Sequence, residues 1–162
     1  MNERAKILRQ KIKICVWFFI FGLVVSGATA IPLLPELNLL VRCFGADHTS
    51  TGGGQWLVQT RDAISETQVH FPFLFYGTDW LAFGHFMIAL VFIGALRDPV
   101  RNRWLFDFGL TACVLVIPYA FVFGGLRGIP FWWRLIDSSF GVFGCIPLWF
   151  CRKWVKELEN QK

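Results

Sequence analysis

Six ionisable residues lie in or beside apolar runs, and these are the side chains placed to do chemistry: Glu36, Asp79, His85, Arg127, Arg134 and Asp137. Charge inside an apolar span is expensive to desolvate, so its presence there marks a functional candidate. Histidine as a residue type titrates near neutral pH, and His85 with the carboxylate Asp137 supplies the parts of a proton relay or an acid–base couple. Arg127 and Arg134 offer positive charge to an anionic solute or a lipid headgroup. Arg134 precedes Asp137 by three residues, which puts both on one helical face and lets them pair. The competing structural reading uses the same residues differently. Arg134 and Asp137 would neutralise one another, His85 would bond across helices, and Asp79 would favour a positive helix end. Asp107 has the same end-of-helix character, with Arg103 four residues before it as an ion-pair partner.

Other constellations carry less. Haem held between two helices usually needs two histidines at matched depth, and only His85 lies within a span, so no cofactor is expected. Asp47, His48 and His70 match no metal-ligand spacing, and no metal is expected. Gly52-Gly53-Gly54 lacks the Gly-Lys-Ser/Thr that would follow in a phosphate loop. GxSxG, HExxH and CxxC are absent, so no catalytic residue is assigned. The five cysteines are Cys15, Cys43, Cys113, Cys145 and Cys151. Only Cys43 falls on the oxidising side in the topology derived below, so an intramolecular disulfide has no partner there.

The elements that must position these groups follow from composition. The chain has 162 residues, 55% hydrophobic and 17% charged, with 18 Phe and 8 Trp. Soluble domains carry roughly 45–50% apolar and about 25% charged residues. A mean hydropathy of +0.50 points the same way, to a chain solvated largely by lipid. The net charge of +5 sits in clusters flanking apolar runs and brings no RNA or DNA motif, so nucleic acid is not expected as a partner.

Four apolar runs predict an all-α integral membrane protein of four transmembrane helices, spanning approximately 14–34, 79–96, 104–126 and 130–150, as one transmembrane domain. Each is long enough for a bilayer core of roughly 30 Å at 1.5 Å per residue. The first follows the basic segment RAKILRQKIK and resembles a secretory signal ending Ala28-Thr29-Ala30. Continuation through Ile31, Leu33 and Leu34 favours an uncleaved anchor. Thr78 or Asp79 is placed to cap the second span, Asp98-Pro99 to start the third early, and Pro118 to kink it. By the same rise, His85 and Asp137 lie roughly 9–10 Å inside the outer ends of their helices. A cluster in the outer half of the bundle is the expectation.

Orientation follows from the basic residues. Arg4, Lys6, Arg9, Lys11, Lys13, Arg97, Arg101, Arg103, Arg152, Lys153, Lys156 and Lys162 fall on one side, against Arg42, Arg61, Arg127 and Arg134 on the other. That asymmetry places both termini in the cytoplasm. Tryptophans near the run ends (Trp17, Trp80, Trp104, Trp132, Trp133, Trp149, Trp154) fit interfacial belts. The outer segment 35–78 reads as a short apolar stretch, a flexible linker GADHTSTGGGQ, and an amphipathic surface helix with Leu57, Ile64 and Phe71 seven apart.

Small residues mark close-packing faces at Ser138, Gly141 and Gly144, and at Ala120 and Gly124, for contact within the chain, with a protein partner, or in a homo-oligomer. Three functions fit. The preferred one is a non-enzymatic accessory or assembly subunit of a membrane complex. The alternatives are a solute- or proton-handling protein using the outward-facing polar cluster, and a membrane-embedded enzyme acting on a lipid or quinone at the outer interface. The general character is that of a bacterial inner (plasma) membrane protein, although an organelle membrane fits the composition equally well.

Overall fold

Proline sets the first boundary. The computed structural model describes residues 3–49 and 51–160; Ser50 of the expected linker and Lys162 of the C-terminal basic group lie outside them. Helix α1 runs Glu3–Thr29 and ends before Pro32. Proline has no N–H to continue the ladder and disfavours helical backbone at the residue before it, Ile31. Leu33 and Leu34, expected to complete the first crossing, instead open α2 (Leu33–Cys43). Then follow α3 (Gly52–His70), α4 (Tyr76–Arg97), α5 (Trp104–Leu126) and α6 (Phe131–Glu159), with short 3-10 turns at Ala46–His48 and Pro72–Phe75. No strand occurs among the described residues.

Among the described residues three stretches are long and apolar enough to cross a membrane: Glu3–Thr29, Pro72–Arg97 and Trp104–Leu126. They make this a helical protein with the character of an integral membrane protein. The expected fourth span is a helix of 29 residues, but Arg134, Asp137, Ser138 and Ser139 crowd its first turns and dilute its apolar character. Two compact units divide the chain, one from residues up to Gly22 together with those from Ile88 onward, the other Leu23–Met87.

In the first unit α5 and α6 lie antiparallel at very short range. A Cβ on Gly141 would collide with the carbonyl oxygen of Cys113 and come 2.6 Å from Val116 Cγ1. One on Gly144 would come 2.8 Å from Cys113 Sγ, and one on Gly109 2.7 Å from Leu148. The connection is equally tight. Gly128 takes φ +70°, while Ile129 N–H donates to Gly124 O (2.8 Å) and Gly128 N–H to Gly125 O (3.2 Å). This is a Schellman turn, which needs the left-handed residue that glycine supplies. Pro130 then starts α6.

Leu148, Cys151, Val155 and Leu158 recur along α6 as its buried stripe, joined in the core by Ile12, Val16, Phe92, Leu105 and Phe106. Phe92 also meets Phe19 ring to ring, 4.8 Å between centroids. Cys151 Sγ approaches Ile12 O at 3.8 Å, and Lys11 lies 5.8 Å over the Trp154 ring. Arg4 pairs with Glu157, and Arg103 with Glu159 at 3.0 Å. The start of α1, the start of α5 and the end of α6 therefore share one end of this unit. Arg103 does not pair with Asp107 as expected; Asp107 is taken by Arg152 at 2.6 Å.

Within the second unit α2 and α3 form a helical hairpin. Leu37 and Val41 of α2, Ala46 of the turn and Leu57 of α3 form its buried face. The glycine run expected to be flexible is the first turn of α3, capped by Thr51, whose Oγ1 accepts from Gly54 N–H (3.4 Å). A cap supplies the acceptor that orphan N–H groups need, which is how three glycines start a helix. Arg61 bridges Asp47 (3.0 Å) and Asp62 (2.9 Å). Of the expected stripe, Leu57 is buried, whereas Phe71 ends the helix 53% exposed.

The seam makes a sharp forecast. Gly141→Ala must push α6 off the α5 backbone and should cost about 1–3 kcal/mol. Gly22→Ala, where no atom lies within 4 Å, should be neutral or stabilising. Thermal unfolding of both variants in one detergent checks the contrast, and equal midpoints would mean the helices do not approach this closely.

Candidate functional site

The six candidate residues divide between the units: Glu36, Asp79 and His85 belong to Leu23–Met87, and Arg127, Arg134 and Asp137 to the other.

Arg134 has the most defined surroundings. Pro130 opens α6, so Arg134 falls in its first full turn, and its Nε donates to Ile129 O at 2.7 Å. The side chain lies across Gly124 and Gly125, where added Cβ atoms would come 2.8 Å from its Cγ and 3.3 Å from its Nη1. These two glycines form the notch that admits it. The guanidinium thus sits at the C-terminus of α5, where unpaired carbonyls and the helix dipole favour a cation. Asp137, half-buried on α6, has no ion pair within 4.0 Å among the described residues. The pairing expected from their spacing does not form, because a nearer acceptor turns Arg134 toward the preceding loop. Ser138 and Ser139 hydroxyls donate within α6, to Arg134 O (2.7 Å) and Ile136 O (2.6 Å). Arg127 is the exposed C-cap of α5.

In the other unit His85 Nδ1 lies 2.8 Å from Leu81 O, one turn earlier on α4. A carbonyl only accepts, so Nδ1 is the donor in this contact. Expected to bond across helices, His85 bonds within its own. Its Cβ lies 3.0 Å from where a Cβ on Gly27 would stand, so α1 and α4 cross closely at this point. Asp79 is exposed in the first turn of α4. It is not the cap: the helix opens at Tyr76, and Thr78 Oγ1 donates back to Phe75 O (2.8 Å). Asp98-Pro99, expected to start the third span early, does not do so: α5 begins at Trp104, and Asp98 instead closes a turn in the preceding loop, accepting from Val100 and Arg101 N–H groups, both at 3.1 Å. Glu36 is half-buried in the first turn of α2, and that burial pushes its carboxyl above the ordinary range.

A different feature went unnoticed in the sequence. Arg103, Trp149, Arg152, Lys153, Lys156 and Glu159 line a cleft of about 460 Å³ at the basic end of the first unit. Trp149, Arg152, Lys153, Lys156 and Glu159 recur at helical spacing along one side of α6, beside its buried stripe. That spacing was the available signal, hidden because these residues were counted for orientation without regard to their angle around the helix. Among the described residues no three His, Cys, Asp or Glu side chains converge as metal ligands would. No protein-family model, curated protein or solved structure matches the chain.

Two forecasts follow from this geometry. Arg134→Met should lower stability by about 2 kcal/mol, as loss of a charged hydrogen bond does. Combined with Asp137→Leu, the double-mutant cycle should show coupling below about 0.5 kcal/mol, since the two groups do not interact; a larger coupling would restore the ion pair.

Glu36 contributes a pH dependence. A carboxyl whose pKa is higher folded than unfolded binds more protons when folded, so stability falls as pH rises from the ordinary carboxylate value through the raised one. Glu36→Gln should therefore be at least as stable as the parent at neutral pH, with its advantage vanishing on acidification. Unfolding midpoints across a pH series decide this, and a parent more stable than the variant at neutral pH would contradict it.

Proposed function

We propose that this chain is a four-pass membrane protein with both termini on the cytoplasmic side, acting without catalysis as an accessory or assembly subunit of a membrane complex. The observation that carries the reading is where the ionisable side chains direct their polar atoms. Arg134 is bonded to the backbone of the loop between α5 and α6, and His85 to the backbone of its own helix. Groups so engaged hold helices and their ends, which is a structural duty. The interior of the first unit is built from close backbone approach at Gly141 and from side chains seated against Gly109 and Gly144, the small-residue packing by which helices associate in lipid.

The four passes have their own support. Arg4 with Glu157, and Arg103 with Glu159, place the starts of α1 and α5 beside the end of α6. A 29-residue helix packed antiparallel along an apolar crossing helix has the length to return across the bilayer. Partner association would use the notches left open on α4, Gly77 and Gly84, which have no neighbour within 4 Å. Exposed Trp80, Leu81, Ile88 and Val91 accompany them. A bacterial inner membrane is the setting proposed.

Native mass spectrometry of the protein drawn from its host in mild detergent should give a heteromeric mass. A monomer or homo-oligomer carrying a small molecule would favour solute handling or lipid chemistry instead. Reporters fused after Gly128 and after Lys162 should report opposite sides; the same side for both would mean that α6 does not cross.

A further inference from the structure

We propose that the basic cleft of the first unit binds the phosphate of an anionic phospholipid headgroup in the leaflet on that side, an inference that rests on the membrane placement argued above. Electrostatics gives the first argument. Of the five charged residues lining the cleft, Arg103 and Glu159 neutralise one another at 3.0 Å. Arg152 is held from outside the cleft by Asp107 at 2.6 Å. Lys153 and Lys156 have no carboxylate partner among the described residues, and both are exposed. The cleft therefore keeps uncompensated positive charge, while its one carboxylate is already occupied.

Preorganisation is the second argument. Each arginine spends one nitrogen on its carboxylate and retains further donors in a fixed plane, the geometry suited to phosphate oxygens. The ion pairs hold those donors in place before any ligand arrives. Lys153 is steadied over the Trp149 ring at 5.8 Å, a contact that restrains the ammonium without neutralising it.

The third argument is position along α6. Phe143, Ile146, Trp149 and Phe150 are exposed apolar residues, and within one turn the exposed surface changes to Lys153 and Lys156. An acyl chain can lie along the first group while the headgroup meets the second. Tryptophan at the changeover is the usual marker of the headgroup level, and basic pockets between helices on the cytoplasmic side suit anionic headgroups. A volume of about 460 Å³ has room for such a headgroup.

The test uses the full-length protein in vesicles of phosphatidylcholine, with phosphatidylglycerol added as the anionic probe. Retained lipid is counted by native mass spectrometry after extraction. Phosphatidylglycerol should be retained in preference to phosphatidylcholine. A Lys153→Gln/Lys156→Gln variant should lose about twenty-fivefold in that preference, taking roughly fivefold for each lysine at a membrane surface. Lys153→Arg/Lys156→Arg should keep it, which separates charge from folding. Lys6→Gln/Lys13→Gln removes the same charge elsewhere in the basic N-terminal segment and should leave the preference nearly unchanged. Equal loss in both glutamine pairs would overturn the site in favour of diffuse attraction. Displacement of the lipid by inorganic phosphate at matched concentration would overturn the lipid assignment in favour of free phosphate. A chain that enters phosphatidylcholine vesicles but shows no phosphatidylglycerol preference refutes this proposal alone. Failure to enter them refutes the membrane placement and this proposal with it.

Discussion

The contact between the Gly141 position of α6 and the Cys113 carbonyl of α5 constrains everything around it. Two backbones this close leave no room for side chains between them, so the rotation of α6 about its axis is determined at that point. Once Gly141 faces α5, helical geometry turns Leu148, Cys151, Val155 and Leu158 into the core. It also carries Trp149, Arg152, Lys153 and Lys156 to the flank. The Schellman turn at Gly128 acts on the same register from the other end, because it sets where α6 begins relative to α5. The basic cleft is thus a consequence of a glycine contact several turns away.

The treatment of polar groups follows from the same closeness. Lipid offers no hydrogen bonds, so a helix end near the membrane must be satisfied by the chain itself. The turn does this for α5, with Ile129 N–H meeting Gly124 O and Gly128 N–H meeting Gly125 O, while Arg134 satisfies the loop carbonyl of Ile129 across the notch left by Gly124 and Gly125. The serines of α6 and His85 on α4 likewise turn to backbone carbonyls. Among the described residues Ser138 is the one buried polar side chain. Charge collects at one end of the first unit, where the ion pairs Arg103–Glu159 and Arg152–Asp107 stand.

Much of the helical framework was legible because apolar run length and flanking charge are additive along the sequence. The second and third apolar runs lie within α4 and α5 almost to the residue. The first was misjudged at its end because apolar continuity through Ile31, Leu33 and Leu34 outweighed Pro32, whose backbone restriction is local and decisive. Gly52-Gly53-Gly54 reads as a flexible linker by propensity, yet Thr51 capping and packing of Leu57 overrule a deficit of roughly 1 kcal/mol per glycine. The site was less legible for a specific reason. Spacing of three residues shows that Arg134 and Asp137 share a face, but it cannot rank Asp137 against a carbonyl outside the helix. Only the path of the Gly128 turn brings Ile129 O within reach.

Charge counting shows the same limit in another form, and here the limit bears on function. The rule that basic residues mark the cytoplasmic side uses position along the chain and discards angle around the helix. Orientation requires only that Lys153 and Lys156 be on the correct side, which any face of α6 would satisfy. Their placement on the flank beside Arg103 is a stricter condition. Met by Arg152, Lys153 and Lys156 together, it turns a general electrostatic preference into a local one, with two arginines fixed by carboxylates and two lysines left uncompensated. An orientation signal needs no such arrangement, whereas recognition of a phosphate does.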